Sequence, residues 1–221
     1  MITVPEEAKR IIERSRYLVE AMSKDLINYS SLARYIKPEL EKSLMKPVSE
    51  ASIIMAIKRI AQDIKPKFAP LTIFQGTPEM IVRSNLVEFT LQNGQSLRKK
   101  YKDLSEFYSD KQQYFFTLTE GVFETTIIVS SDLRDNIRSL LAHEQIISEV
   151  NNLSGITIRL PKENVTTPGV YYFFLKSLAW EGVNIIEIVS TPNEVSLILE
   201  DKEVNTAFAI LKSLFPIQNL V

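Results

Sequence analysis

The sequence predicts an α+β chain, in which an N-terminal helical (helix-turn-helix-like) domain precedes two ferredoxin-like βαββαβ modules. Three observations lead there. Residues 5–64 carry apolar side chains at helical spacing. Residues 71–150 and 153–221 each alternate between period-two and helical spacing, and each begins β-α-β-β-α. Between these regimes Lys65-Pro66-Lys67-Phe68-Ala69-Pro70 reads as a stiff linker. The expected domains are therefore 1–67, 71–150 and 153–221.

Pro5 suits a first helical turn, with Glu6 and Glu7 complementing its positive end, and a single helix is expected to Ile27. Ser30 or Ser31 caps a short helix through Leu32, Ala33 and Ile36. Lys37-Pro38 then starts a separate short segment through Leu40 and Leu44. Ser49 caps a strongly apolar helix with Ile53, Ala56, Ile57 and Ile60 inward. After the linker, Ile81–Leu91 reads as a strand, Ser96–Tyr108 as a helix, and Tyr114–Leu118 with Val122–Val129 as two strands joined at Glu120-Gly121. A helix capped by Ser131 or Asp132 and a strand at Gln145–Val150 close the first cycle. One continuous α+β domain with seven or more strands is the alternative to a repeat.

The second cycle is the clearest part of the chain. Ile156, Ile158 and Leu160 alternate as a strand. Pro168-Gly169 opens a helix whose inward face is Val170, Phe174 and Leu178. Gly182 stops that helix, and strands follow at Ile185–Val189 and Val195–Leu199 around a Thr191-Pro192-Asn193 turn. A last helix carries Val204, Ala207, Phe208, Leu211 and Phe215. Tyr172, Phe173 and Trp180 are left off the inward stripe, which marks either a contact surface or packing on another part of the chain.

This stretch resembles an ACT domain of the type found in the regulatory part of aspartate kinases. The matching residues are Pro168-Gly169-Val170, Leu178-Ala179, Gly182-Val183-Asn184-Ile185, and Ile188-Val189-Ser190-Thr191 running into Glu194-Val195-Ser196-Leu197. The resemblance implies a small-molecule sensor, often for an amino acid, that works in pairs and so as a homodimer. It also implies an effector near the first strand-to-helix loop. The residues suit this: Gly169 permits close backbone approach, and a helix N-terminus offers N–H groups to a carboxylate. The expected ligand residues are Thr166, Thr167, Pro168, Gly169, Val170, Val183, Asn184, Ile185 and Ile186. Asn184 offers both a donor and an acceptor. The competing reading is that both glycines serve turns and Asn184 a loop. The glycine-rich form of the loop at Lys162–Thr167 is missing, and residues 71–150 lack the Pro-Gly opening, so the first module is read as a degenerate ACT-like repeat from element order alone.

The N-terminal helices resemble a winged-helix domain, which implies an alternative function as a ligand-responsive transcription regulator contacting DNA through Lys58 and Arg59. A plain packing and dimerisation bundle is the other reading. The net charge of −1 argues against a strongly basic nucleic-acid binder. With no cysteine, disulfides and thiolate metal sites are excluded, and a single histidine, His143, excludes multi-histidine metal clusters. No phosphate-binding loop is present, and an enzyme, a cofactor or a metal is not expected. No run of about 18 apolar residues suggests a membrane span, and the N-terminus has no signal core, so a cytoplasmic protein is expected.

Overall fold

The structure is a computed structural model that describes residues 2–64, 70–111 and 113–215. Contacts divide the chain into two units, Met1–Ala69 and Pro70–Val221. Apart from Pro70, the expected linker lies outside the described residues.

The described residues of the first unit form four helices. Thr3 and Glu6 cap α1 (Val4–Arg14) reciprocally, each side chain bonding the other's backbone N–H. The single helix expected to Ile27 breaks at Ser15, where φ −99° and ψ 102° are extended, and α2 (Arg16–Ser23) starts afresh. The opposite correction applies to α3 (Tyr29–Leu44), which runs straight through Pro38. A proline there removes one helical hydrogen bond. Leu32, Ala33, Ile36 and Leu40 nevertheless form one buried stripe across it, and that packing keeps the helix whole. Ser49 caps α4 (Glu50–Asp63) by accepting from the Ser52 N–H at 3.3 Å. The four helices bury a common core that includes Ile12, Ile36, Leu40, Ile53 and Ile57. Among the described residues this unit has no strand. The winged-helix expectation has no support in this helix order.

Among the described residues Glu7 is the one buried charge of this unit. The Arg10 guanidinium, and after it Ser43, hold its carboxyl down at about 2 against an ordinary 4.5. A depressed carboxyl stabilises the fold above about pH 4.5, and that contribution is lost as pH falls through about 2. Acid titration followed by circular dichroism is expected to unfold these helices in that window. Glu7→Gln is expected to flatten the dependence, and an unchanged acid limb would show that Glu7 does not set it.

The second unit is built on one antiparallel sheet ordered β2-β3-β1-β4-β6-β5. Its strands are β1 (Met80–Gln92), β2 (Phe116–Glu120), β3 (Glu124–Ser130), β4 (Ile146–Arg159), β5 (Glu187–Thr191) and β6 (Glu194–Glu200). Helix α5 (Gln95–Tyr108) links β1 to β2, and α6 (Arg134–Leu140) links β3 to β4. Helix α7 (Val170–Trp180) links β4 to β5, and α8 (Val204–Ser213) follows β6. The strands expected at Gln145–Val150 and at Ile156–Leu160 are one strand, β4. It pairs with β1 along its whole length, from Met80↔Ile158 to Leu91↔Ile146.

Both long strands bend at the same level. Asn85 and Asn152 each take φ 57°, a left-handed conformation that asparagine tolerates better than most residues. The β1–β4 register shifts on either side of Leu86, which pairs with Leu153. Val87, Phe89 and Leu91 pack with Leu97, Leu104, Ile127 and Ile137 under α5 and α6. Beyond the bend Ile156 and Ile158 pack with Phe174, Leu178, Leu197 and Leu211 under α7 and α8.

The faces turned away from the helices form a third core, with Leu86, Ile128, Leu153 and Ile198 fully buried. Ile128 of β3 and Ile198 of β6 share this core although two strands separate them in the sheet order, and Glu187 on β5 interacts with Glu88 on β1 and with Thr126 on β3. In a flat sheet β5 would lie three strands from β1, roughly 14 Å at ordinary strand spacing. The sheet is therefore folded over, so that its two halves face one another across a seam.

Candidate functional site

After β4 the chain turns at Pro161 into a short 3-10 turn, Lys162–Val165. Asn164 lies inside that turn and is only 7% exposed. Its backbone N–H bonds the Pro161 carbonyl at 2.9 Å. Its side-chain Nδ2 donates to the Tyr171 hydroxyl at 3.3 Å, while Oδ1 has no partner. Turning the amide over leaves the other atom unpartnered, since Tyr171 meets only one of the two. Burying an unpaired amide atom costs about 1–3 kcal/mol.

The sequence-predicted loop residues surround the start of α7. The Thr166 hydroxyl donates to the Glu163 carbonyl at 3.2 Å, which leaves its oxygen able to accept. Thr167 is half-buried and Pro168 exposed. Gly169 takes φ 88° as the helix N-cap, and no side chain caps the helix. The first-turn N–H groups carry the positive end of the helix dipole and suit an anion. The Val170 side chain belongs to the core, so its backbone alone can serve a solute.

The other predicted residues lie elsewhere. Gly182 (φ 74°) ends α7, and Val183 donates its N–H to the Leu178 carbonyl at 3.0 Å. The Asn184 N–H donates to the Glu203 carboxylate at 3.3 Å, and that of Ile186 to the Ile198 carbonyl at 2.8 Å. Ile185 packs against the core below α7 and α8. Helix α7 has 11 residues, so its two ends stand about 16 Å apart. The fold does not bring Val183, Asn184, Ile185 and Ile186 to the Gly169 loop.

Two open clefts lie nearby. One of 340 Å³ is lined by residues 74–79 and 159–161. The other, of 320 Å³, includes Ile81, Thr157 and Asn193, and shares Glu79 and Arg159 with the first. Their charged pair is already joined, Arg159 to Glu79 at 3.2 Å. Neither contains a buried unpartnered side-chain atom.

Lys58 and Arg59 are exposed on α4, whose first turn carries Glu50. His143 lies in a turn and not in a helix. It lies exposed beyond α6 at φ 74°. No group of three or more His, Cys, Asp or Glu residues that could hold a metal occurs among the described residues. Among the same residues no helix is long and apolar enough to cross a membrane. On α7, Trp180 is 82% exposed and Tyr172 is exposed as well. Phe173 is not free as expected, since its ring packs near those of Phe174 and Phe215.

Comparison with protein-family models gives no match, and comparison with curated proteins gives none either. Solved structures do match. The aspartate kinase of Clostridium acetobutylicum, described as an allosteric enzyme, aligns with a TM-score of 0.53 at 16% identity over 64% of this chain. The alignment spans 35% of that kinase, so this chain matches about a third of its length. The ligand-free regulatory subunit of aspartate kinase from Thermus thermophilus aligns at 0.52 and 13% identity, over 64% of this chain and 100% of that one. The aspartate kinase of Synechocystis aligns at 0.51 and 18% identity, over 66% of this chain and 28% of that one. At these identities the likeness is one of fold: the mixed helix and six-stranded antiparallel sheet resembles that of an aspartate kinase regulatory subunit.

Proposed function

We propose that the chain is a regulatory protein without catalytic activity, which senses an amino acid through two ACT-type modules at residues 71–150 and 153–221. The observation that carries this reading is an uncapped helix N-terminus opened by Gly169, preceded in the chain by a 3-10 turn that holds the unpartnered amide atom of buried Asn164. The first suits a carboxylate and the second an N–H donor such as an ammonium. A free amino acid carries both groups on one carbon.

The strand order supports the modular part of the reading. Strands β2-β3-β1-β4 with α5 and α6 follow the ferredoxin-like plan. In β1-β4-β6-β5 with α7 and α8, the first half of β1 takes the place of a fourth strand. The fold likeness to a regulatory subunit of aspartate kinase favours a sensing role. Val183, Asn184, Ile185 and Ile186 sit at the far end of α7, so in this reading they complete the site of a second copy in a homodimer. The DNA-binding alternative gains nothing from the fold, and Glu50 opens the helix that carries Lys58 and Arg59.

Thermal unfolding with each of the twenty amino acids tests the proposal. A ligand present at 100 times its Kd adds about 2.7 kcal/mol of stability. Asn164→Leu is expected to erase that gain while leaving the fold intact, because leucine fills a similar volume and buries no unpaired amide. A flat response across the whole panel would refute amino-acid sensing.

A further inference from the structure

The seam between the half-sheets holds a pair of carboxyl groups that the sensing site does not use. Glu88 is 7% exposed and its Oε2 has no hydrogen-bond partner. Its other oxygen, Oε1, lies 3.5 Å from the Thr90 hydroxyl. Glu187, on the facing half-sheet, meets Glu88 and Thr126. Two like charges this close, both withdrawn from water, cannot both be ionised cheaply.

Beside Glu88 on the same face stand Ile128 and Thr126 of β3, and Val150 and Ser148 of β4. Beside Glu187 stands Ile198 of β6. Thr117 of β2 lies on the Ile128 row and is uncharged. Glu120 of β2 pairs with Arg98, and four further charged residues of these strands are engaged elsewhere. Arg83 bonds the Gln113 carbonyl, and Arg159 pairs with Glu79. Glu149 pairs with Arg134 and Arg138, and Glu200 with Lys202. None of these cations is paired with Glu88 or Glu187. No third His, Cys, Asp or Glu joins the two among the described residues, which leaves a bound metal ion poorly coordinated.

We propose that Glu88 and Glu187 hold a single proton between them across the seam, and that loss of this proton loosens the packing of the two half-sheets. One protonated carboxyl donating to the other neutralises half the charge and gives both groups a partner. Burial, and then the neighbouring Glu88, push the Glu187 carboxyl up from an ordinary 4.5 to about 7, and burial pushes Glu88 up as well. The folded chain thus binds this proton more tightly than the unfolded chain does. The resulting stability is complete below about pH 4.5 and is lost as pH rises through about 7. The seam is therefore poised to respond near neutrality.

The test is urea unfolding of the full chain from about pH 5 to about pH 8, for the native sequence, Glu88→Gln and Glu187→Gln. The native chain is expected to lose stability across that window. Either glutamine supplies a permanent N–H donor to the remaining carboxylate, so both variants are expected to flatten the dependence. At about pH 8 each is expected to raise the folding equilibrium constant at least about tenfold, the worth of one pKa unit. Amide hydrogen exchange in β1 and β5, corrected for the intrinsic pH effect, is expected to quicken toward pH 8 in the native chain alone. A native profile that stays flat, or variants that keep the native slope, would overturn the proposal. So would recovery of the native chain at about pH 8 on adding magnesium or potassium with no effect on Glu88→Gln, since a cation and not a proton would then fill the seam. If Glu88→Gln fails to fold, the less buried Glu187→Gln still gives the answer.

Discussion

Phe89→Ala and Phe174→Ala are each expected to destabilise the second unit by about 3–5 kcal/mol, and both to do so within one shared unfolding transition. Each ring is almost wholly buried, Phe89 in the core under α5 and α6, Phe174 in the core under α7 and α8. Truncation removes the transfer energy of a benzyl group and leaves a cavity that close-packed neighbours fill only in part. Phe174 loses more specific contacts, since its ring meets Phe74 at 6.1 Å and Phe215 at 6.2 Å between centroids. The shared transition follows from the strands. Neither core can come apart without disturbing β1 and β4, which line both. Helix α7 lies in the Phe174 half. Its amide hydrogen exchange is therefore expected to report the Phe89→Ala loss, although Phe89 belongs to the other half. Two separate transitions, with exchange in α7 indifferent to Phe89→Ala, would show that the halves fold independently.

The second large effect is expected at Gly155. In most half-buried strand positions, replacing glycine by valine stabilises, because a β-branched side chain packs well and glycine's flexibility is costly. Here the sign reverses. A Cβ at Gly155 would lie 3.2 Å from Ile198 Cδ1 and 3.3 Å from Leu86 Cδ1, both tighter than ordinary contact. Those side chains are fully buried in the seam and have little room to give. Gly155→Val adds two further methyl groups and is expected to cost about 1–3 kcal/mol by overpacking. Chemical denaturation of the variant beside Gly155→Ala is the check, with alanine expected to cost less. A valine variant as stable as the native chain would mean that the half-sheets do not press together at this glycine.

The spacing of apolar residues made most elements of the second unit readable, because helices and strands there each cover one dominant core. What it did not reveal is the second covered face. Glu88, Thr90 and Thr126 alternate with apolar neighbours and so read as a solvent face, yet the seam encloses them. Only the fold brings β5 over β1, and a contact between residues so far apart in sequence leaves no local periodicity. The bends at Asn85 and Asn152 were equally silent, since one left-handed residue within a strand has no pattern beyond asparagine's tolerance for it. In the first unit, local rules misjudged Pro38 because packing outweighed one lost hydrogen bond, and nothing in the sequence around Ser15 marked its break. At the candidate site the Pro168-Gly169 turn was legible from residue type. Asn164 was not, because an asparagine in a polar loop is ordinarily solvated, and it is the tertiary fold of the 3-10 turn that encloses it.

The first half of β1 is made early and completed late. Its partner along β4, Ile156 to Ile158, lies more than 70 residues downstream of Met80 to Val82. While the chain emerges from a ribosome, neither half-sheet has its full set of strands until β4 is out, and the second still awaits β5 and β6. Pairings this distant carry a heavy entropic cost before any contact repays it, which slows folding. The nascent segment from β1 to β3 must therefore wait with apolar edges uncovered, the stage at which holding chaperones have most to offer this protein.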